Sequence, residues 1–267
     1  MYCAITDFKD FQFLGDLSLI KENIVDYNSD MEKLIELSKQ DKDLVIKLPH
    51  SSELTEEDLD LIYMLSKARD NIRFMVRDKL IADLPCFFQY GFMSADSLDR
   101  METLCEMGVT DVYITGELGF KMKDVKRMAE KYGVKTRIVP NIAQLSGIGF
   151  TLVPQHKEHI NSFWVRPDDL HLYEEYIDIV EFLGDSEKQH IFYKIYFQDK
   201  RWNADLSVIV AGLEEVYGCN LTEEFTKARL NCGKRCLNDL CHTCFKMKAQ
   251  SLLAAEHGIN IKKENLV

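Results

Sequence analysis

The feature that most limits what this chain can become is a recurring unit. A short apolar, β-branched or aromatic segment is followed by a polar turn and then by a helical pattern, which is the alternation of a β/α fold. Candidate strands fall at residues 11–15, 44–48, 72–76, 86–90, 112–116, 136–139, 163–166 and 179–182, short enough for buried parallel strands. Helical patterns with apolar residues three and four apart cover 17–37, 56–68, 97–107, 121–131 and 168–176. The run SSELTEEDLDLIYML places Ser and Thr ahead of acidic residues, as a capped helix start requires. Eight strands are the number that closes a (β/α)8 barrel of the TIM type, and roughly 250 residues is the usual size of that fold. The expected architecture is therefore a (β/α) barrel over residues 1–185, followed by a cysteine-rich helical extension over 186–267. An open doubly wound sheet is the alternative. It is kept because only RDKLIADLP separates the third and fourth strands, and because 141–160 reads as loop around SGIGF.

Composition narrows the partners. Of the 267 residues, 46% are hydrophobic and 29% charged, which excludes disorder as the main theme. Lys and Arg number 33 against 44 Asp and Glu, and the net charge of -11 disfavours extended DNA binding. No apolar run approaches the roughly 18 residues of a membrane span, and MYCAITDFKD lacks the basic start and apolar stretch of a secretion signal. The expected location is the cytoplasm, with no membrane partner.

Eight cysteines are unevenly spread. Cys3, Cys86 and Cys105 stand apart, whereas Cys219, Cys232, Cys236, Cys241 and Cys244 crowd into 26 residues. In a reducing compartment such crowding favours a metal or iron–sulfur site over disulfides, the competing reading being reduced buried thiols. The segment CGKRCLNDLCHTC spaces Cys232, Cys236, Cys241 and Cys244 as C-x3-C-x4-C-x2-C. Thiolates are soft ligands suited to zinc or to a 4Fe-4S cluster. The spacing does not choose between the two metals, and Cys219 or His242 offers a variant ligand set.

A second candidate site follows from the barrel register, because such folds keep their chemistry at the carboxyl ends of the strands. That rule collects Asp16, Lys47, His50, Arg77, Gln89, Glu117, Asn141, Arg166 and Asp168. His50 and Glu117 are the acid–base candidates. Arg77, Gln89, Asn141 and Arg166 are the substrate-binding candidates, with the two arginines suited to a carboxylate or phosphate. Ends of strands carry polar residues in any water-exposed fold, so position alone is the weight behind each residue. The aromatic and basic residues around 192–202 read as helix packing rather than a stacking surface. G-x-S-x-G, H-E-x-x-H and P-loop patterns are absent.

The eight-unit pattern, VPNIAQ at 139–144, FWVRPDDL at 163–170 and the downstream cysteines together resemble the collagenase-like peptidase family U32. The resemblance covers the strand series from 44 to 182 in pattern, and FWVRPDDL is its most specific piece. It implies a TIM-type barrel, a four-cysteine iron–sulfur cluster carried over as a type of site to Cys232, Cys236, Cys241 and Cys244, and hydroxylation or redox modification of a nucleobase or small molecule. Two alternatives stay open. One is a non-catalytic, zinc-stabilised barrel that docks a protein partner or joins an assembly, and the other is a peptidase.

Overall fold

The computed structural model describes residues 1–8, 15–27, 30–76, 87–89, 95–142, 163–202, 208–210 and 223–230. Eight parallel strands form one sheet: β1 (Tyr2–Thr6), β2 (Ile20–Asp26), β3 (Asp43–Lys47), β4 (Ile72–Val76), β5 (Phe87–Gln89), β6 (Asp111–Tyr113), β7 (Lys135–Ile138) and β8 (Ile179–Glu181). Their order is β5-β4-β3-β2-β1-β8-β7-β6. This is the cyclic order of an eight-stranded barrel with one ladder missing, between β5 and β6. The sheet is curled into an open half-barrel whose edges stand 9 Å apart.

The closed TIM-type barrel expected from the strand count is thus corrected to an open parallel sheet, closer to the doubly wound alternative. Its edge strands β5 and β6 are three residues each, too short for a long closing ladder. On the β6 side, Ala95 forms an isolated parallel bridge with Ile114. The strands themselves also differ from expectation at the amino end. Residues 20–26, read as helix, form β2, while β1 begins the chain. The segment expected as a strand at 163–166 contributes only an isolated bridge residue at Phe163 before the 3-10 turn Pro167–Tyr173. The expected strand at 11–15 lies outside the described residues except for Gly15.

Among the described residues six α-helices accompany the sheet: α1 (Met31–Leu37), α2 (Glu56–Ala68), α3 (Leu98–Glu106), α4 (Met122–Tyr132), α5 (Ser186–Tyr193) and α6 (Glu223–Leu230). Their starts carry the expected chemistry. Asp30, Thr55, Ser97 and Asp185 accept a hydrogen bond from a backbone N–H of the first turn, and Thr55 and Asp58 form a reciprocal capping box. Gly133, with φ of 67°, ends α4 in the left-handed region. Met122, Val125 and Ala129 of α4, like Met101, Leu104 and Cys105 of α3, are buried at helical spacing.

After α5 the chain continues as a π-helix, Lys194–Asp199. Tyr196 and Phe197 on this turn are buried and sit with their rings 5.1 and 6.4 Å from that of Phe182, just beyond β8. The Tyr196 hydroxyl donates to the Val165 carbonyl at 2.9 Å. The first part of the expected extension is therefore packed into the same core as the sheet.

Candidate functional site

Strands buried on both faces are expected to be apolar, yet five strands of this sheet each carry a charge that the register sends to the concave side. Glu22 lies on β2, Arg73 on β4, Asp111 on β6, Arg137 on β7 and Glu181 on β8. Four of them close a ring. The Arg73 Nη1 donates to Glu22 Oε1 at 2.8 Å and its Nη2 to Asp111 Oδ1. Arg137 completes the circuit through Nη2 to Glu22 Oε2 at 2.5 Å and Nε to Asp111 Oδ2 at 2.6 Å. Each carboxylate spends one oxygen on each guanidinium. Two positive and two negative charges thus balance inside the fold, as burial of charge requires. The Tyr2 hydroxyl adds a bond to Glu22 at 2.9 Å, and Thr110 Oγ1 accepts one from Arg73 at 3.0 Å. Burial works against the Arg137 charge, but Glu22 and Asp111 hold the guanidinium firmly protonated.

Three ring residues stand early in their strands, Asp111 first in β6, Arg73 second in β4 and Glu22 third of the seven in β2, while Arg137, third of four in β7, is level with Tyr113 and links the ring to the carboxyl end. Glu181, Tyr113, Lys47 and Asp26 are each the last residue of their strands. The ring therefore floors a mouth that opens at the carboxyl ends, where parallel sheets place their sites. At that mouth the Tyr113 hydroxyl donates to the Glu181 carboxylate in a short hydrogen bond. Arg137 Nη1 stands 3.8 Å from Glu181, and the Glu181 side chain is 16% exposed. Burial pushes the Glu181 carboxyl above the usual carboxylate range, outweighing the opposing influence of Arg137 and of the Tyr113 hydrogen bond. Tyr113 is pushed up by burial and then by the Glu181 charge. Lys47 forms an ion pair with Asp26 at 3.7 Å on the more exposed side. A carboxyl that keeps its proton into a higher pH range, hydrogen-bonded to a phenol at the lip of a polar interior, is equipped for proton transfer.

The sequence candidates are distributed unevenly around this centre. His50 is exposed and caps a short 3-10 turn, its Nδ1 accepting from the Ser52 N–H at 3.3 Å. Asn141 is buried and clasps the chain after β8, donating to the Leu183 carbonyl at 3.0 Å and accepting from its N–H at 2.8 Å. Arg166 makes two 2.7 Å bonds to Asp169, whose carboxylate also accepts from Thr226 of α6 at 2.5 Å. Gln89 ends β5, Arg77 directly follows β4 in sequence, and Glu117 lies in the 3-10 turn Gly116–Phe120 after β6. Arg77 lies outside the described residues. Of the residues at the mouth, the strand-end rule found Lys47 and missed Glu181, Tyr113 and the whole ring. The available signal was a charge within a short, otherwise apolar strand, alone in IRFMV, DVY and IVE and accompanied by further charges in IKENIVD and KTRI.

Cys232, Cys236, Cys241 and Cys244 lie outside the described residues, as do Cys219 and His242. Among the described residues, no group of three or more His, Cys, Asp or Glu is arranged to hold a metal ion. The buried thiols Cys3 and Cys105 are both pushed up by burial, Cys105 to about 11, which keeps them as unreactive thiols. Among the described residues no helix is long and apolar enough to cross a membrane.

No protein-family model and no curated protein matches the chain. Among solved structures it has a weak, distant similarity to one described as the U32 peptidase Mk0906, with a TM-score of 0.40 and 11% sequence identity over 68% of this chain and 92% of that one.

Proposed function

We propose that this protein is an enzyme whose site is the carboxyl-end mouth of the half-barrel. Glu181 acts there as the proton-transfer group on a small molecule or nucleobase, and Tyr113 holds its carboxyl in place. The observation that carries this reading is the placement of Glu181, bonded to Tyr113 and set at the end of a parallel strand above a charge-balanced floor, where burial raises its proton affinity. Lys47 supplies the cation at the same mouth, 31% exposed and only loosely held by Asp26. Arg77 and Gln89 remain substrate-contacting candidates, and Glu117 an acid–base candidate, by their sequence places after or at the ends of β4, β5 and β6.

The test compares the intact protein with Glu181→Gln in heavy water against a mixture of small polar metabolites and nucleosides, followed by mass spectrometry. Consumption or deuteration of a component by the wild type, reduced about 10²- to 10⁴-fold in the variant, is the expected result. Equal turnover by both proteins, or none by either, rejects the reading.

The cofactor proposal rests on the sequence alone, on four thiols within thirteen residues. Anaerobically purified protein is expected to carry iron or zinc. Metal-free protein in which all four of these thiols react with a thiol reagent ends it.

A further inference from the structure

We propose that Arg137 is a positioning residue for Glu181, and that the ring of Glu22, Arg73, Asp111 and Arg137 fixes how much positive charge that carboxyl receives. This rests on the reading of Glu181 as the proton-transfer group. The geometry is specific: Arg137 spends Nη2 and Nε on the ring at 2.5 and 2.6 Å and turns Nη1 toward Glu181 at 3.8 Å. One guanidinium thus serves three carboxylates with unequal closeness. Arg137 also lies over the Tyr113 ring, 5.9 Å from its centroid, so its charge is near both members of the Glu181–Tyr113 pair.

Charge arithmetic gives the consequence. With all four members present the ring is neutral, and what Glu181 receives from it is chiefly the field of the near arm of Arg137, set against the weaker opposing field of Glu22. Removing a ring carboxylate leaves an excess positive charge beside Glu181 and favours its ionised form. Removing Arg73 leaves an excess negative charge and favours the protonated form. A residue that only filled space would not produce shifts of opposite sign from two members of one ring. The other groups around this interior are Tyr2 and Cys3 on β1, Asp43 and Lys47 on β3, Tyr113 on β6 and Lys135 on β7. Lys135 is engaged by the Tyr2 hydroxyl at 3.3 Å, and Lys47 by Asp26. Among these, Lys47 is the exposed cation that acts on Glu181 from the solvent side.

The experiment is a carbon-13 titration of glutamate side-chain carboxyls in the whole protein, with the Glu181 signal assigned by its loss in Glu181→Gln. Asp111→Asn is expected to lower the Glu181 midpoint by about one pH unit or more, and Arg73→Met to raise it by a similar amount. Midpoints that stay put, or move in the same direction in both variants, overturn the proposal. Where a ring variant does not fold, the wild type decides through its salt dependence. Between about 0.05 and about 1 M salt the midpoint should hold to within about 0.2 units, because the ring is shielded from counter-ions. A larger drift assigns control to Lys47 and other exposed charges, and overturns it. The titration needs no substrate, so it separates the two readings. Shifts of opposite sign with unaltered turnover in Glu181→Gln would leave the ring inference standing and remove the proposed function.

Discussion

At the scale of single residues, the interior is decided by charges that sequence patterning treats as punctuation. Arg137 is fully buried within KTRI and Glu22 within IKENIVD, where a lone ion would be prohibitive and only pairing explains its presence. A reading based on hydrophobic period sees each strand singly and so cannot see that the five charges meet. His50 and Glu117 are legible as polar groups near strand ends, but His50 caps a turn, and Glu117 lies in the 3-10 turn after β6. Gly119 shows the same blindness to contacts at a distance. A Cβ there would strike the ring of Phe163, forty-four positions later, so Gly119→Ala should cost about 1–3 kcal/mol through overpacking. Urea denaturation reads the loss. Adding Phe163→Leu should recover part of it, and an unchanged midpoint in the single variant would show that the turn yields freely.

At the scale of elements, β3, β4, β5, β7 and β8 fall within about a residue of the expected positions, and β6 starts within one but ends three residues early, because each is a short apolar run bounded by turns. The helices at 56–68, 97–107 and 121–131 are equally plain from their caps and spacing. The first forty residues were not, since IKENIVD and MEKLIEL follow one another with apolar residues at spacings that suit either state. β2 is a strand because it has β1 and β3 as parallel partners on either side, a fact no local window contains. The missing ladder between β5 and β6 was likewise invisible in a strand count. What spans that opening is an ion pair, since Arg73 on β4 reaches Asp111 on β6 past the short β5. Arg73→Met should destabilise the fold by about 3–5 kcal/mol, because it leaves two buried carboxylates to share the single guanidinium of Arg137. Thermal or urea unfolding measures this, and a loss below about 1 kcal/mol would show that the edges hold without the pair.

At the scale of the whole molecule, the raised proton affinity of Glu181 ties stability to pH. The folded protein binds that proton at higher pH than the unfolded chain does. Its contribution is therefore fully present in acid, below the usual carboxylate range, and is lost as pH rises through the raised value. Glu181→Gln, which is neutral throughout, should flatten this part of the profile and gain on the wild type on the alkaline side. Parallel urea titrations across that range check it, and identical pH slopes for the two proteins would contradict it. The half-barrel, unlike a closed barrel with layers of aliphatic side chains, thus has an interior whose charge state is part of its stability.

The shared oxygens of the four-membered ring also limit how such an interior can drift over generations. Each carboxylate is bound by both arginines and each arginine by both carboxylates, so any lone replacement of a member by a neutral residue leaves one buried charge uncompensated. Viable change has to come in compensating pairs, one acid with one base. This part of the chain should therefore show strong epistasis, with two substitutions tolerated together where neither is tolerated first.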